Sequence, residues 1–307
     1  MLLYPLSGRG TTPRVGPDGA VHFAPTAHSL TRLSHGRVAR LKSPSLVGFR
    51  ATIQRMNLLI TAGSPRSPID KVRCVGTVFT GQTGALLARA AWGRGHTVTL
   101  LTSNAERLPE VPADAGLSER RLMPIVYNTF DDLSAVMQQQ LRSKPIDVLI
   151  HTAAAADYLV AGSFAPELGT YFNVRNKAWE SREKPTMIEQ PTDRANSGEP
   201  ELWVRLVRAP RLVDRLRGPW GYKGLFVRFT LETARSDAEL RGAAEFTRKQ
   251  SEADLIVAGT FESMAHWVLM GPVDGRYERV PRRELADRLM LVVEHMRRTN
   301  QGSWHDE

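Results

Sequence analysis

The sequence predicts an α/β fold in which a doubly wound, mainly parallel sheet carries helices on both faces. Three observations lead to this prediction. From residue 56 onward, short apolar runs alternate with amphipathic stretches of helical length. A glycine-bearing loop separates the first apolar run from the first helical stretch. The chain has 307 residues, 42% of them hydrophobic, which is enough to bury the core of one large domain. Strands that alternate with helices form mainly parallel sheets.

The first half of the predicted domain contains four strands and two helices. Each strand is a leucine-rich or β-branched run, and the fourth ends in a series of alanines where close packing is needed. A Gly95-His96 turn separates the first helix from the second strand. The predicted strands are residues 57–62, 97–103, 122–128 and 146–158, and the predicted helices are residues 83–94 and 130–143.

Residues 159–200 are rich in Pro, Gly, Asn and charge and show little periodicity. So long an irregular segment in a compact domain is usually functional, so we predict an extended flap here. The Rossmann-like domain is predicted to span residues 56–298, with a short tail at 299–307. After order returns at 201–207, we expect a short helix at 209–217, a strand at 224–232, a helix at 236–251, strands at 253–259 and 266–271, and a closing helix at 281–298 with Pro281 just before its first turn.

The net charge of +9 is concentrated near the start of the chain. Residues 1–55 hold eight Lys or Arg against the single acid Asp18, which leaves only +2 for the other 252 residues. The domain therefore does not require a nucleic-acid partner. We expect residues 1–55 to be a disordered basic arm, or Met56 to be the working start; an arm that binds nucleic acid or membrane is the alternative.

Cysteine content and hydropathy limit the cellular compartments in which we expect this protein. Cys74 is the only cysteine, so disulfides within the chain and cysteine-based metal clusters are excluded. That composition is typical of a reducing cytoplasm. No apolar run approaches the roughly 18 residues that a membrane span needs. We therefore expect a cytoplasmic protein with no membrane partner.

The standard nucleotide motifs are missing from the sequence. The first strand leads into "TAGSPRSPID", which is not G-x-G-x-x-G, and no acidic residue follows the second strand in the usual ribose-binding way. The chain has no Y-x-x-x-K pair and no G-x-x-x-x-G-K-[ST] loop. A P-loop NTPase is excluded, and an NAD(P)-binding reductase-like protein remains a weaker alternative.

Five motifs in order resemble phosphopantothenate–cysteine ligase, the synthetase half of the bifunctional coenzyme A biosynthesis flavoprotein. "TAGSPRSPIDKVRCVGTVFTGQTG" is similar to the family pattern T-x-G-G-T-x-E-P-[IL]-D-x-V-R-x-[IL]-[ST]-N-x-S-[ST]-G-x-x-G. The segments "AAAADY", "LVRAPRLVD", "FVRFTLET" and "ADLIVAGT" resemble A-A-A-V-A-D-[YF], L-x-K-T-P-D-I-L, V-G-F-x-x-E-T and L-D-x-I-[VC]-A-N. The resemblance covers about residues 56–295.

The resemblance implies an acyl-activating reaction. The family uses CTP or ATP with Mg²⁺ to activate the phosphopantothenate carboxylate as an acyl nucleotidate, which the cysteine amine then attacks. Phosphopantothenate, cysteine and the nucleotide would be the small-molecule partners. The resemblance further implies a homodimer and no flavin, since the flavin-binding half of the family's bifunctional protein is not matched.

Site residues follow from the resemblance position by position. The metal ligands are unknown. The catalytic candidates are Thr77 and Arg194; the nucleotide-binding candidates are Ala153, Asp157, Pro210, Arg211, Leu212, Val213, Phe229 and Lys249; the substrate-binding candidates are Gly63, Arg66, Asp70, Arg73, Gly81 and Gly84.

The sequence departs from the family pattern at several of its polar positions. Thr77 stands where the family has asparagine, and threonine offers one hydroxyl where asparagine offers two donors and an acceptor. A lysine motif, K-x-K, falls on Arg194-Ala195-Asn196, although Lys184 could supply the charge instead. Further departures are Ser67 for glutamate, Ala258-Gly259 for A-N, and Arg248-Lys249 for the helix lysines. These changes favour the alternative of a homologue that binds nucleotide or phosphopantothenate without catalysis.

Overall fold

The computed structural model describes residues 54–109, 121–196, 198–234 and 236–302. The predicted basic arm lies outside the described residues except for Gln54 and Arg55, and the predicted tail is described only as far as Gly302. Within these ranges, none of the helices combines the length and the apolar character that a membrane crossing requires.

The described chain contains fifteen strands and four α-helices. Three short 3-10 turns accompany them, at Ala105–Arg107, Leu212–Arg215 and Arg282–Glu284. In chain order the elements are β1 Asn57–Ala62, β2 Ser67–Pro68, β3 Cys74–Val75, α1 Gln82–Gly93, β4 Thr97–Thr102, β5 Leu122–Val126, α2 Phe130–Ser143, β6 Val148–His151, β7 Tyr158–Pro166, β8 Tyr171–Asn173, β9 Ala178–Glu180, β10 Met187–Glu189, β11 Trp203–Arg208, β12 Leu225–Leu231, α3 Asp237–Gln250, β13 Leu255–Gly259, β14 Trp267–Val273, β15 Arg276–Pro281 and α4 Leu285–Gly302.

An eight-stranded sheet forms the centre of the domain, in the order β15-β14-β13-β12-β6-β1-β4-β5. The six strands from β13 to β5 are parallel, and β14 and β15 are antiparallel at one edge. The chain builds outward from β1 to β5 and then crosses back to β6. The predicted doubly wound, mainly parallel α/β sheet is therefore confirmed, and its direction of winding reverses between β1 and β6.

Each face of the sheet packs on helices because alternate strand residues point to opposite sides. Leu58 and Ile60 of β1 face the cluster that includes α1 and α4. Leu59 faces the second cluster, formed with α2 and the chain around Leu212. Ile256 joins a smaller cluster under α3. Full burial of such a side chain contributes about 1.5–3 kcal/mol, so these clusters fix the helices on the sheet.

Two of the helices begin with a side-chain cap, as their sequences favour. The hydroxyl of Thr129 accepts a hydrogen bond from the backbone of Asp132, whose carboxylate accepts one from the backbone of Thr129. This capping box starts α2 at the predicted residue. Ser236 accepts from the backbone of Glu239 and starts α3. Helix α1 instead follows Gly81, which has no side chain for capping.

The prediction that residues 159–200 form an irregular flap is wrong, because much of this segment forms β-strands. The segment contains β8, β9, β10 and nearly all of β7, and β7 pairs antiparallel with β10 and β11 in a three-stranded sheet. Rings of Phe172, Trp179 and Trp203 lie 4.5–5.2 Å apart and hold the β8–β9 hairpin against β11. These aromatic contacts provide the order that the Pro- and Gly-rich composition does not suggest.

Three other expectations need correction. The strand predicted at 146–158 ends at His151, because the alanines that follow form a loop. The helix predicted at 209–217 is only the 3-10 turn Leu212–Arg215. The strand β15 was not predicted, and the closing helix starts four residues later than expected because Pro281 ends that strand.

Candidate functional site

Three glycines bring the loop after β1 against the first turn of α1. Gly63 has φ 89°, and a Cβ there would lie 2.1 Å from Ser103 Oγ. A Cβ on Gly81 would lie 2.8 Å from the Gly63 nitrogen. A Cβ on Gly84 would lie 2.4 Å from Ala62 Cβ, inside the limit of any real contact. The predicted positions Gly63, Gly81 and Gly84 therefore allow α1 to start directly over the carboxyl end of β1.

The loop between β1 and α1 is held by its own hydroxyl groups. The backbone of Ser64 donates to Ser103 Oγ at 2.9 Å, and the backbone of Thr77 donates to Ser64 Oγ at 3.1 Å. Thr77 is exposed, and it lies in the loop that leads to Gly81. The first turn of α1 has no acidic residue and no side-chain cap. Its free N–H groups therefore face this loop with partial positive charge.

A cavity of about 140 Å³ opens at the carboxyl ends of β6, β12 and β13, beside the first turn of α1. Ala153 and Phe229, both predicted to contact the nucleotide, contribute to its wall. Thr83 of α1 and Arg282 of the turn before α4 also line it. In doubly wound sheets such a crevice at strand ends, next to the reversal of winding, is the usual place for a ligand.

A buried polar layer supports the floor of this cavity. Thr61 Oγ1 is 2.8 Å from His151 Nδ1 and accepts a hydrogen bond from the backbone of Ala153 at 3.2 Å. Burial lowers the pKa of His151 to about 4, so the ring is neutral at pH 7. The Ala153 carbonyl accepts from the backbone of Ala155 at 2.9 Å. Ala153 is thus fixed in place, and His151 supports the site from below it.

Asp70 and Arg73 form a latch between two loops. The Asp70 carboxylate accepts from the backbone of Val72 and Arg73, from the Arg73 guanidinium at 2.7 Å, and from the backbone of Ala195 at 3.0 Å. Arg73 also donates to the Ala195 carbonyl at 3.0 Å. These donors, the Arg73 guanidinium first among them, hold the pKa of the Asp70 carboxyl well below its usual range. The pair therefore ties the loop before Thr77 to the chain at Ala195.

The predicted nucleotide residues after β11 divide into two groups. Leu212 and Val213 are buried in the core against α2, so only their backbone atoms could reach a ligand. Pro210 is exposed, and Arg211 is 3.5 Å from Asp214 with one buried guanidinium nitrogen that has no hydrogen-bond partner in the described part of the chain. The carbonyl of the exposed Asp157 accepts from the backbone of Ala209 at 2.8 Å, which fixes Asp157 beside this turn.

The remaining predicted cations lie away from the cavity. Lys249 is exposed in the last turn of α3, where it pairs with Glu245 at 3.4 Å. Since α3 runs from the carboxyl ends of the strands back to the start of β13, Lys249 lies near the amino ends of the strands, opposite the cavity. Arg194 is exposed beside the latch, and Arg66 is exposed where its backbone bonds Asn128. The structure does not bring these three side chains into the wall of the cavity.

Sequence reasoning missed Thr83 and Arg282. Thr83 falls in the variable part of the G-x-x-G pattern, so the motif does not mark it. The sequence pattern places Arg282 only as the first residue of a helix. In the structure it lines the same cavity as Thr83, from almost 200 residues further along the chain. Nothing in its local sequence indicates this position, because the turn between β15 and α4 places it there.

Comparison with known proteins identifies relatives for most of the domain. Residues 53–165 match the family model of the DNA/pantothenate metabolism flavoprotein C-terminal domain. The chain is similar to the coenzyme A biosynthesis bifunctional protein CoaBC of Thermococcus kodakarensis, with 28% identity over 274 residues that cover 87% of this chain and 56% of the relative. It is 34% identical to CoaBC of Escherichia coli K12 over 115 residues, 38% of this chain and 25% of that relative. The chain thus spans about half, or less, of the length of these curated relatives.

Solved structures show the same fold. The DNA/pantothenate metabolism flavoprotein from Streptococcus pneumoniae superimposes with a TM-score of 0.62 and 20% identity, covering 78% of this chain and 99% of that one. A Cab2 mutant in complex with phosphopantothenate-cysteine superimposes with a TM-score of 0.56 and 15% identity, covering 81% and 89%. These structures confirm the predicted α/β fold. The matches to the family model and to CoaBC confirm the predicted resemblance to the coenzyme A biosynthesis flavoprotein.

Proposed function

We propose that this protein, which matches the DNA/pantothenate metabolism flavoprotein C-terminal domain over residues 53–165, is a phosphopantothenate–cysteine ligase of coenzyme A biosynthesis. One observation carries the proposal. The cavity at the carboxyl ends of the strands is lined by Ala153 and Phe229, two residues of separate family motifs, and lies beside the α1 turn that ends the first motif. Motifs about 75 residues apart thus converge on one crevice.

The proposed reaction has two steps. A carboxylate oxygen of phosphopantothenate attacks the α-phosphorus of CTP or ATP, and pyrophosphate leaves. The amine of cysteine then attacks the acyl carbon of the resulting acyl nucleotidate, loses a proton, and releases the nucleoside monophosphate. Holding the reactants together and neutralising phosphate charge supply most of the catalysis in such transfers.

The described residues can contribute positioning to both steps. The first turn of α1 has neither a side-chain cap nor an acidic residue and contributes Thr83 to the cavity wall, so its backbone N–H groups would stabilise negative charge beside the cavity. Phe229 offers an apolar surface to the nucleotide, and Gly63 and Gly81 allow the loop after β1 to pack closely against the start of α1 beside the cavity. Thr77 lies in the loop beside the same turn, where its hydroxyl can donate one hydrogen bond.

We propose that Mg²⁺ enters with the nucleotide. Among the described residues, no group of three or more His, Cys, Asp or Glu side chains is placed to hold a metal ion. Mg²⁺ commonly binds through substrate phosphates and one or two carboxylates, so this protein does not need such a cluster. The exposed carboxylate of Asp157 is the group of the predicted nucleotide set that fits as a ligand. The ion would neutralise charge on the triphosphate.

A mass-spectrometric assay tests the proposal. The full chain is incubated with phosphopantothenate, cysteine, Mg²⁺ and either CTP or ATP. We expect phosphopantothenoylcysteine and nucleoside monophosphate in equal amounts, with one nucleotide preferred. Formation of neither product with both nucleotides would overturn the assignment.

A second candidate function is binding without ligation. The observation that favours it is the pair of departures at Thr77 and Asn196; the Asn196 backbone donates to Gln190, and its amide donates to Glu199 at 3.3 Å. A side chain engaged in its own turn cannot clamp a triphosphate as the family's lysine does. Nucleotide binding by calorimetry together with no product in the assay above would establish this function instead.

The homodimer and the cytoplasmic location stay predictions. Exposed apolar side chains on the three-stranded sheet β10-β7-β11, including Tyr158, Ile188 and Leu206, offer a surface that a second copy could cover. Sedimentation equilibrium would test the dimer, and a monomer at micromolar concentration would contradict it.

A further inference from the structure

We propose that Arg282 binds a phosphate group of the substrates and thereby determines their position in the cavity. The inference rests on the proposed function and adds a residue that no family motif quoted above contains. It concerns the far wall of the cavity, which is built by the turn between β15 and α4.

Arg282 is fixed in this wall at both ends. Its backbone N–H donates to the His266 carbonyl at 2.8 Å, which anchors the turn to the start of β14. Its guanidinium donates to the hydroxyl of Thr83 in the first turn of α1. The side chain therefore spans from the last hairpin of the sheet to α1 and lines the cavity that Ala153 and Phe229 also line.

The charge of Arg282 is not balanced by the described part of the protein. No carboxylate of the described residues lies within 4 Å of the Arg282 guanidinium, whereas Arg94, which lines a groove together with Arg282, has a carboxylate at 2.6 Å. Burial lowers the pKa of Arg282, yet a guanidinium keeps its charge in proteins. A half-buried cation without a counter-ion is unfavourable, and an anionic ligand would relieve that cost.

The rest of the cavity selects the kind of anion. Among the described residues, Arg282 is the one charged residue that lines the cavity; the others are apolar, or are hydroxyls and small residues such as Thr152 and Thr230. One adjoining groove, which shares Leu231, carries Glu232 and Glu262 and would repel phosphate. A second groove, on the other side of Arg282, is lined by Arg89, Arg94 and Arg283 with the single acid Asp287 among its described residues. A guanidinium fork matches two phosphate oxygens, and Thr83 occupies only one of its nitrogens. The phosphate can come from the nucleotide or from phosphopantothenate.

The test measures the binding of CTP, ATP and phosphopantothenate separately by calorimetry. The variants are Arg282→Gln and Arg282→Met, since the methionine keeps the apolar stem if the glutamine variant fails to fold. Arg283→Gln is the matched control, because Arg283 is the next residue, is exposed, and pairs with Glu284 at 3.1 Å. We expect both Arg282 variants to weaken a phosphate-bearing ligand about 10- to 100-fold, with the control within about twofold of wild type.

Which ligand weakens identifies the source of the phosphate. Loss confined to CTP and ATP assigns Arg282 to the nucleotide, and loss confined to phosphopantothenate assigns it to that substrate. We also expect the ligand-free Arg282→Met protein to melt at or above the wild-type temperature, because an unbalanced charge has been removed.

Two results would overturn the inference alone, and a third would overturn it together with the proposed function. Unchanged affinity for all three ligands in both variants, with normal binding by the wild type, would refute the role of Arg282 alone. A lowered melting temperature with unchanged affinity would assign Arg282 a purely structural role. No binding of any ligand by the wild type would instead refute the proposed function together with this inference.

Discussion

At the scale of single residues, Gly84 decides how closely α1 lies on the sheet. Gly84→Ala would place a Cβ 2.4 Å from Ala62 Cβ and 2.9 Å from Thr152 Oγ1. We expect the free energy of unfolding to fall by about 1–3 kcal/mol, because the helix must move outward. Urea denaturation measures the change.

The control for this prediction lies in the same helix. A Cβ on Gly93 would meet no atom within 4 Å, so Gly93→Ala should leave stability unchanged or raise it by about 0.5–1 kcal/mol. A similar gain in stability in the two variants would show that helix propensity, and not packing at Gly84, determines the effect.

We predict that the rate of the proposed ligase reaction depends on the side chain at Thr77. Thr77→Asn adds an amide with two donors at the loop beside α1, and one well-placed donor commonly changes a rate by more than tenfold. We expect nucleoside monophosphate release in single turnover to rise at least about tenfold. Thr77→Val, which removes the hydroxyl, is the control. Equal rates in all three proteins would show that this side chain does not touch the reacting groups.

Sequence reasoning at this scale found the glycines and missed the arginine. Gly63, Gly81 and Gly84 lie within one contiguous motif, so a single local pattern marks them all. Arg282 reaches the cavity only through the packing of β15 and α4 against α1, which no local pattern expresses. Lys249 shows the reverse case, since its motif position does not place it at the strand ends.

At the scale of elements, the latch at Asp70 joins the loop before α1 to the chain at Ala195. Asp70→Asn would weaken the bond to Arg73 and leave the Ala195 backbone with a poorer acceptor. We expect faster amide hydrogen exchange at residues 190–196. Asp193→Asn is the control, because its pair with Lys71 is exposed and should contribute little. Protection equal to wild type in Asp70→Asn would refute the latch.

The same latch predicts a direction of pH dependence. The folded pKa of Asp70 lies below its ordinary value of 3.8. The stabilisation is therefore fully present above pH 4 and is lost as the pH falls further. Protection of residues 190–196, taken relative to their intrinsic exchange rates at each pH, should fall below that pH in the wild type and change less in Asp70→Asn.

The elements differ in how far the sequence predicts them. Long apolar runs and a capped amphipathic helix such as α2 follow directly from periodicity and capping. The strands of the three-stranded sheet and of the β8–β9 hairpin do not, because they are three to nine residues long and mostly half exposed or exposed. Ring contacts such as that between Trp179 of β9 and Trp203 of β11 hold them together. The edge strand β15 has three charged residues among its six and so has no apolar run to detect.

At the scale of the whole molecule, Glu294 connects α4 to the end of α1 and the start of β4. Its carboxylate accepts from Arg94 at 2.6 Å and from His96 at 3.0 Å. Burial alone would raise the pKa of Glu294, but these hydrogen bonds outweigh it and lower the pKa. The connection should therefore weaken as the pH falls below the ordinary value of 4.5.

Glu294→Gln tests this connection. It leaves the Arg94 charge without its partner in a largely buried position, so we expect the free energy of unfolding to fall by about 3 kcal/mol. Glu278→Gln, which removes an exposed partner of Arg288, should cost less than about 1 kcal/mol. Ligand affinity should be unaffected in both, because Glu294 is absent from the cavity wall. A smaller loss in Glu294→Gln than in the control would contradict the account.

The central claim is that the carboxylate of phosphopantothenate is activated by nucleotidyl transfer at the strand-end cavity. The most direct measurement starts from phosphopantothenate labelled with ¹⁸O in its carboxylate and follows the label by mass spectrometry. Because the carboxylate oxygen bonds to the α-phosphorus and stays there when the amine attacks, we predict one ¹⁸O in the nucleoside monophosphate for each phosphopantothenoylcysteine formed. Amide formation with the label in inorganic phosphate, or with no transfer of label, would contradict the claim.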